Sequence, residues 1–290
     1  MLGEAGATVY CTGRSTRGKP AGQRPETIEE TAEMVNARGG IGIPVQVDHT
    51  VECQVQHLFE RIKTEQGGLD ILVNDIWGGD ELTEFGKPFW KLSIEKGLAM
   101  LQLAVHSHII TSRYGASLLI ERGHGLIVEI TDGDSFTYRG NLFYDLVKTS
   151  VIRLAFAMAR ELRRRNVTSV AVTPGFLRSE VMLERFGVTE ANWQEGAKKD
   201  QNFIASETPF FVGRAVAALA ADPDVFRKSG RVFSSWDLGV EYGFTDIDGG
   251  RPHWGQHFER KYGYRLKNCD EAFYEYWRGG PLDTIYANWP

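Results

Sequence analysis

Residues 125–180 constrain the fold of this chain more than any other stretch. Two runs rich in β-branched residues, 126–131 and 167–173, flank a segment in which Val147, Val151, Leu154 and Met158 recur at i, i+4, i+7 and i+11. That spacing lays apolar side chains along one face of a helix. Strand, helix and strand in that order make parallel neighbours, because so long a crossover cannot be a hairpin. The same alternation extends to both sides. Strands are expected at 7–12, 41–47, 69–74 and 230–234. Between them, Thr27 with Glu30 forms a capping box that opens a helix stopped at Gly39-Gly40, Val55, Leu58, Phe59 and Ile62 mark a second, and 91–121 reads as largely helical with Leu98, Leu101 and Val105 on its apolar face. Thr208 and Pro209 open a further helix as cap and first residue. The fold class is α/β, a doubly wound parallel sheet.

Composition narrows the function. A chain of 290 residues with 42% apolar content can bury one substantial core. Its net charge of −5 carries no basic footprint, so neither nucleic acid nor an anionic membrane is an expected partner. No apolar run reaches eighteen residues, and no signal-peptide pattern opens the chain. Cys11, Cys53 and Cys269 are odd in number and lack metal-ligand spacing, which suits reduced thiols, no metal and a cytoplasmic protein.

Tyr144 and Lys148 stand four apart near the start of the central helix, on one face, just beyond the end of the preceding strand. Among the ten tyrosines, Tyr144 alone has a lysine four residues on. An ammonium held near a phenol favours the phenolate, which is expected to bring Tyr144 towards neutral pH and let it exchange a proton with a substrate oxygen. Thr131 lies thirteen residues before Tyr144, where its hydroxyl is expected to hold the same oxygen.

Read in order, Val-Tyr-Cys-Thr-Gly-Arg (9–14), Val-Asp-His-Thr (47–50), Leu-Asp-Ile-Leu-Val-Asn (69–74), Tyr144 with Lys148, and Pro174-Gly175 through Ser179-Glu180 resemble the short-chain dehydrogenase/reductase family from residue 2 to residue 236. The resemblance implies a Rossmann-type fold and hydride transfer with NAD(P). It makes Tyr144 the catalytic acid/base, gives Lys148 the nicotinamide ribose, and sets Thr131 in place of the usual serine. It also implies cofactor contacts from Arg14, Ser15, Asp48, Asn74, Pro174, Gly175 and Ser179. Arg14 and Ser15, with Arg17 close by, replace an acid that would repel a 2′-phosphate, so NADP is expected over NAD. Asp48 also suits a helix cap, and Trp77 suits either a pocket wall or plain packing. The family's catalytic asparagine falls near Ala104, where there is none, and His106 and His108 occupy that stretch. A structural histidine is the expectation there.

The largest departure is at the start. Met1–Gly6 reads as the last turn of the helix that should follow a first strand and a glycine-rich phosphate turn. Neither G-x-G-x-x-G nor G-x-x-x-G-x-G occurs. The expected fold is therefore a Rossmann-type sheet lacking its first strand, and a start assigned too far downstream is the favoured reading. A catalytic domain is expected over residues 1–235 with a mobile substrate lid over 179–207. Residues 236–290 hold most of an aromatic-rich tail: the last sixty residues carry 14 of the 33 aromatics, Trp236, Trp254, Tyr274, Trp277 and Trp289 among them, and are expected to pack over the body or the pocket mouth. The expected protein interconverts a small-molecule carbonyl and a secondary alcohol and forms a homodimer or homotetramer. Two other readings stand beside it: a binding or scaffold protein that has lost its dinucleotide site, and an isomerase or dehydratase on the same frame.

Overall fold

The computed structural model describes residues 1–22 and 24–271. Strand β1 (Thr8–Gly13) pairs in parallel with β2 (Ile41–Gln46), and the crossover between them is α1 (Ile28–Asn36). The capping box read from the sequence is present: the Thr27 hydroxyl accepts from Glu30 N–H, and Glu30 accepts from Thr27 N–H. After α2 (Glu52–Gln66), a second parallel sheet runs in the order β3 (Ile71–Asn74), β4 (Gly125–Ile130), β5 (Val167–Thr173), β6 (Val232–Ser234). All seven residues of β5 are buried, as a strand covered on both faces requires.

The doubly wound sheet is thus in two pieces, with no ladder between β1 and β3 among the described residues. Residues 1–7 form turns, where Ala5 N–H reaches the Met1 carbonyl at 3.2 Å, rather than a strand. Packing holds the pieces together. Tyr10 and Val45 from the first lie against a core containing Leu72, Leu119 and Ile127 from the second. Buried His49 bridges Thr12 of β1 at 2.9 Å and Thr111 at 2.8 Å. That Thr111 belongs to α4 (Ser107–Arg122), which covers one face of the larger sheet. On the opposite face, α7 (Pro209–Ala221) and α8 (Ser235–Tyr242) bury Ala215, Leu219 and Leu238 against Leu126, Val128, Val170 and Val172.

Helix α3 (Ile94–Leu101) runs through a π turn, Gln102–His106, into α4. Here the apolar face is the expected one in part: Leu101 and Val105 pack against Met100, Ala104 and Val147. Gly97, Met100 and Ala104 turn inward, whereas Leu98 is 57% exposed. The extra residue of a π turn rotates the helix out of the 3.6 period. In addition, the Phe143 ring lies so close to Gly97 that a β-carbon there would meet it at 2.3 Å.

Residues 179–207, expected as a mobile lid, fold as α6 (Glu180–Phe186) and two short 3₁₀ turns around fully buried Phe203, whose ring contacts Phe176, Phe186 and Trp193. Of the aromatic tail, Trp236 is buried in α8, α9 (Trp254–Tyr262) follows, and Cys269 is buried with Ile152, Ala155, Ala171 and Val232. Tyr274, Trp277 and Trp289 lie outside the described residues.

Candidate active site

The site forms where β4 ends and α5 (Leu142–Leu162) begins. Asn141 caps the helix: its side-chain oxygen accepts from Tyr144 N–H at 3.1 Å, and its amide donates to the Glu84 carbonyl at 3.0 Å. That cap fixes the first turn, so Tyr144 and Lys148 follow one above the other on the face turned to the sheet's carboxyl end. The Trp77 ring meets the Tyr144 ring edge-on, with centroids 5.5 Å apart, and the Lys148 ammonium sits 4.1 Å from the centre of Trp77. Trp77 is therefore both wall and packing. Its indole N–H donates to Asp80 at 2.8 Å, which fixes the ring.

The phenol's partner is neither of the groups expected. Tyr144 donates its hydroxyl hydrogen to Asp132 Oδ2 at 2.7 Å. Thr131 is buried and spends its own hydroxyl on the Lys148 backbone carbonyl at 2.7 Å, so it positions α5 instead of offering a donor to substrate. The consequence for charge is opposite to the expectation. Burial, reinforced by the Asp132 carboxylate, pushes Tyr144 above the ordinary phenol range. Burial also lowers Lys148, against the pull of Asp132, Asp75 and Asp80. Among the charges acting on the phenol, the Asp132 carboxylate in contact is the largest.

These groups open into a cavity of about 870 Å³. Its floor is residues 130–135 with Tyr144 and Lys148, and one wall is Pro174-Gly175-Phe176-Leu177. The other wall comes from the tail: Trp236, His253, Trp254, Phe258, Arg265 and Asn268. Asn268 donates to Asp134 at 3.1 Å and Cys269 N–H donates to the Asp134 carbonyl at 2.7 Å, which fastens the tail to the site loop. Burial pushes the Asp134 carboxyl up to about 6.

Behind the cavity lies a buried polar network. Glu129, fully buried on β4, accepts from Asn74 at 2.7 Å and Ser112 at 3.1 Å, and pairs with His108 Nδ1 at 2.5 Å. The other ring nitrogen of His108 donates to the Ile76 carbonyl at 3.0 Å. Burial lowers the His108 pKa, and the Glu129 carboxylate more than reverses this, so the net shift is upward. His108 is therefore a structural histidine beside the π turn, and Asn74 is a hydrogen-bonding hub.

The remaining candidates are spread. Pro174 and Gly175 line the cavity, and Gly175 N–H donates to buried Glu207 at 3.0 Å. Exposed Arg14 makes no side-chain hydrogen bond or ion pair among the described residues, and only its carbonyl accepts, from Gln46 at 3.0 Å. Arg17 is held by both oxygens of Glu33, at 2.9 and 3.0 Å. Ser15 accepts from Ala21 N–H at 3.1 Å. Asp48 accepts from the N–H and hydroxyl of Thr50, at 2.9 and 2.6 Å, forming a turn ahead of α2, whose cap position is Val51. Ser179 caps α6 and does not line the cavity. Asp132, Glu129 and Glu207 were not read from the sequence. Only Asp132 left a signal there: an acid at the strand end, next to Thr131 and twelve residues before Tyr144.

A tyrosine–lysine pair thus stands at the carboxyl end of a parallel α/β sheet. A family model described as enoyl-(acyl carrier protein) reductase matches residues 2–227. Dehydrogenase/reductase SDR family member 1 of Mus musculus is 35% identical over 254 residues, 86% of this chain and 78% of its own, and the Homo sapiens protein of that name is 35% identical over 253. A putative dehydrogenase from Xanthomonas campestris has the same fold at TM-score 0.69 and 20% identity, covering 86% of this chain and 85% of that one. So does L-sorbose reductase from Gluconobacter frateurii, complexed with NADPH and L-sorbose, at TM-score 0.66 and 16% identity, covering 86% and 89%. The chain belongs to the short-chain dehydrogenase/reductase family.

Proposed function

We propose that this protein interconverts a carbonyl and a secondary alcohol with NADP, using Tyr144 to handle the proton of the substrate oxygen. The observation that carries this reading is the convergence of Tyr144, Lys148 and Asp132 on one cavity at the carboxyl end of the sheet. The residues present fit the nicotinamide end of such a cofactor. Pro174 and Gly175 line the cavity, and Lys148 stands one turn from Tyr144 with its ammonium in the same cavity. At the adenosine end, Arg14 is unpaired by any side chain among the described residues and suits a 2′-phosphate, with Ser15 and Asp48 just beyond the ends of β1 and β2. Between these ends no glycine-rich turn leads from a strand into a helix among the described residues, so the pyrophosphate lacks a cradle there.

When bound, the nicotinamide supplies or accepts the hydride. The chain's own part is to orient the substrate oxygen at the Tyr144 hydroxyl, to place a positive charge beside it through Lys148, and to exclude water with Trp77, Phe176 and Trp254. Steady-state assays with NADPH over a panel of ketones and aldehydes test this. Wild type should turn over, and Tyr144→Phe should lose roughly 10²–10⁴-fold in kcat, the usual worth of a positioned acid or base. Undiminished activity in Tyr144→Phe would remove the reading.

The split sheet favours a second reading, a family relative that keeps the fold and binds other molecules without catalysis. Titration of NADPH separates the two, since stoichiometric binding is incompatible with the second. Leu98, Ile109 and Leu146, exposed on α3, α4 and α5, support a homo-oligomer built on those helices. The free thiols of Cys11, Cys53 and Cys269 support a reducing, cytoplasmic setting.

A further inference from the structure

We infer that Asp132 is the terminal proton acceptor of the site, reached through Tyr144, so that the phenol relays a proton without becoming a phenolate. This rests on the oxidoreductase reading above. Its geometric basis is the 2.7 Å hydrogen bond from the Tyr144 hydroxyl to Asp132 Oδ2, with Asp132 itself lining the cavity. Thr131, the hydroxyl on the preceding residue, is removed from the chemistry by its bond to the Lys148 carbonyl. Asp132 is held in place from behind, because Arg139 donates to its backbone carbonyl while also pairing with Asp145 at 3.0 Å.

The charges facing the pair leave the phenolate poorly supported. Asp75 and Asp80 come from the connection after β3, Asp132 and Arg139 from the connection after β4, and Lys148 from α5. At the phenol the Asp132 carboxylate in contact and Asp80 further off thus stand against the Arg139 guanidinium, while His108 of α4 acts on Lys148 and Asp75 behind them. A phenolate at Tyr144 would be a further anion in contact with a carboxylate, and such neighbours do not both ionise easily.

In alcohol oxidation the substrate C–H bond would give its hydride to the bound nicotinamide while the substrate O–H bond breaks and a new O–H bond forms on the Tyr144 oxygen. The original Tyr144 O–H breaks in the same event, and its proton bonds to Asp132 Oδ2. Tyr144 ends neutral, Asp132 ends as a carboxylic acid, and that proton then leaves to solvent through the cavity mouth. Carbonyl reduction runs the same path backwards from protonated Asp132.

The test reads Tyr144 directly in the cofactor-free protein. Tyrosine labelled with ¹³C at Cζ is followed by NMR from pH 6 to 11, and Tyr144→Phe assigns the resonance. Wild type should keep Tyr144 protonated over the whole range. In Asp132→Ser, which removes the carboxylate in contact and leaves Arg139 and Asp80 as the charges acting on the phenol, the ionisation constant should rise at least tenfold, with Asp132→Asn as the second variant. Should both variants fail to fold, the wild-type titration alone decides. A wild-type Tyr144 that ionises near neutral pH, or one that titrates identically in Asp132→Ser, overturns the proposal. Absence of turnover with Tyr144 protonated throughout removes the oxidoreductase reading and leaves the proton pair standing. Turnover with a near-neutral Tyr144 removes the pair and leaves the enzyme.

Discussion

Replacing Glu207 by glutamine should make the protein's stability far less sensitive to rising pH. The Glu207 carboxyl is 1% exposed. Its Oε2 accepts from Gly175 N–H at 3.0 Å and from the Ser235 hydroxyl at 2.7 Å, and Oε1 has no partner among the described residues. Burial pushes its pKa from 4.5 up to about 8. The folded protein therefore holds a proton there that the unfolded chain releases between those values, and stability falls as pH rises across that window. At about 1.36 kcal/mol per pH unit, the loss between pH 5 and pH 8 is on the order of 4 kcal/mol. Glutamine keeps an oxygen for Gly175 and Ser235 and has nothing to ionise. Urea unfolding of both proteins at pH 5, 6.5 and 8 measures the effect. The two should be about equally stable at pH 5, with the variant ahead by on the order of 4 kcal/mol at pH 8. A difference that stays constant with pH would refute the reasoning, because the group would then not be taking up a proton on folding.

Three further perturbations test other parts of the account. Gly97→Ala places a methyl 2.3 Å from the Phe143 ring, next to Tyr144. It should cost roughly 1–3 kcal/mol in urea unfolding, as overpacking does, and lower activity as well. His108→Leu leaves Glu129 buried with only neutral donors, and the loss should be about 3–5 kcal/mol by the same assay. His49 is buried, and that burial holds its pKa down at about 4. The unfolded chain takes up a proton there first, so the contribution of His49 is complete above pH 6.5 and is lost as the pH falls through 4. In His49→Gln, measured by thermal unfolding between pH 7 and 4, this part of the acid sensitivity should disappear.

Most of the fold was legible because its signals are local. β5 announces itself as a run rich in β-branched residues, the Thr27–Glu30 box marks the start of α1, and the period of Val147, Val151 and Leu154 lies along α5. The inward turn of Gly97 and the exposure of Leu98 were not, because a π turn leaves no mark in a hydrophobic period. Tyr144 and Lys148 were legible for the same local reason, being one helical turn apart. Their electrostatics were not. Whether a phenol is tuned by an ammonium or by a carboxylate depends on which lies in contact, and that is set by how the chain turns between β4 and α5. Glu129 and Glu207 read as surface acids in a sequence, because nothing local marks the partners that bury them: His108 lies 21 residues away and Ser235 lies 28.

The central claim is that hydride and proton meet a substrate carbon and oxygen in the cavity at Tyr144. Incubation with a ketone panel and NADPH carrying deuterium at C4, followed by mass spectrometry of the products, tests it most directly. The account predicts one deuterium on the carbinol carbon, transferred from one face of the nicotinamide, with the transfer rate falling by roughly 10²–10⁴ in Tyr144→Phe. Products without deuterium, or a transfer rate unchanged in Tyr144→Phe, would contradict it.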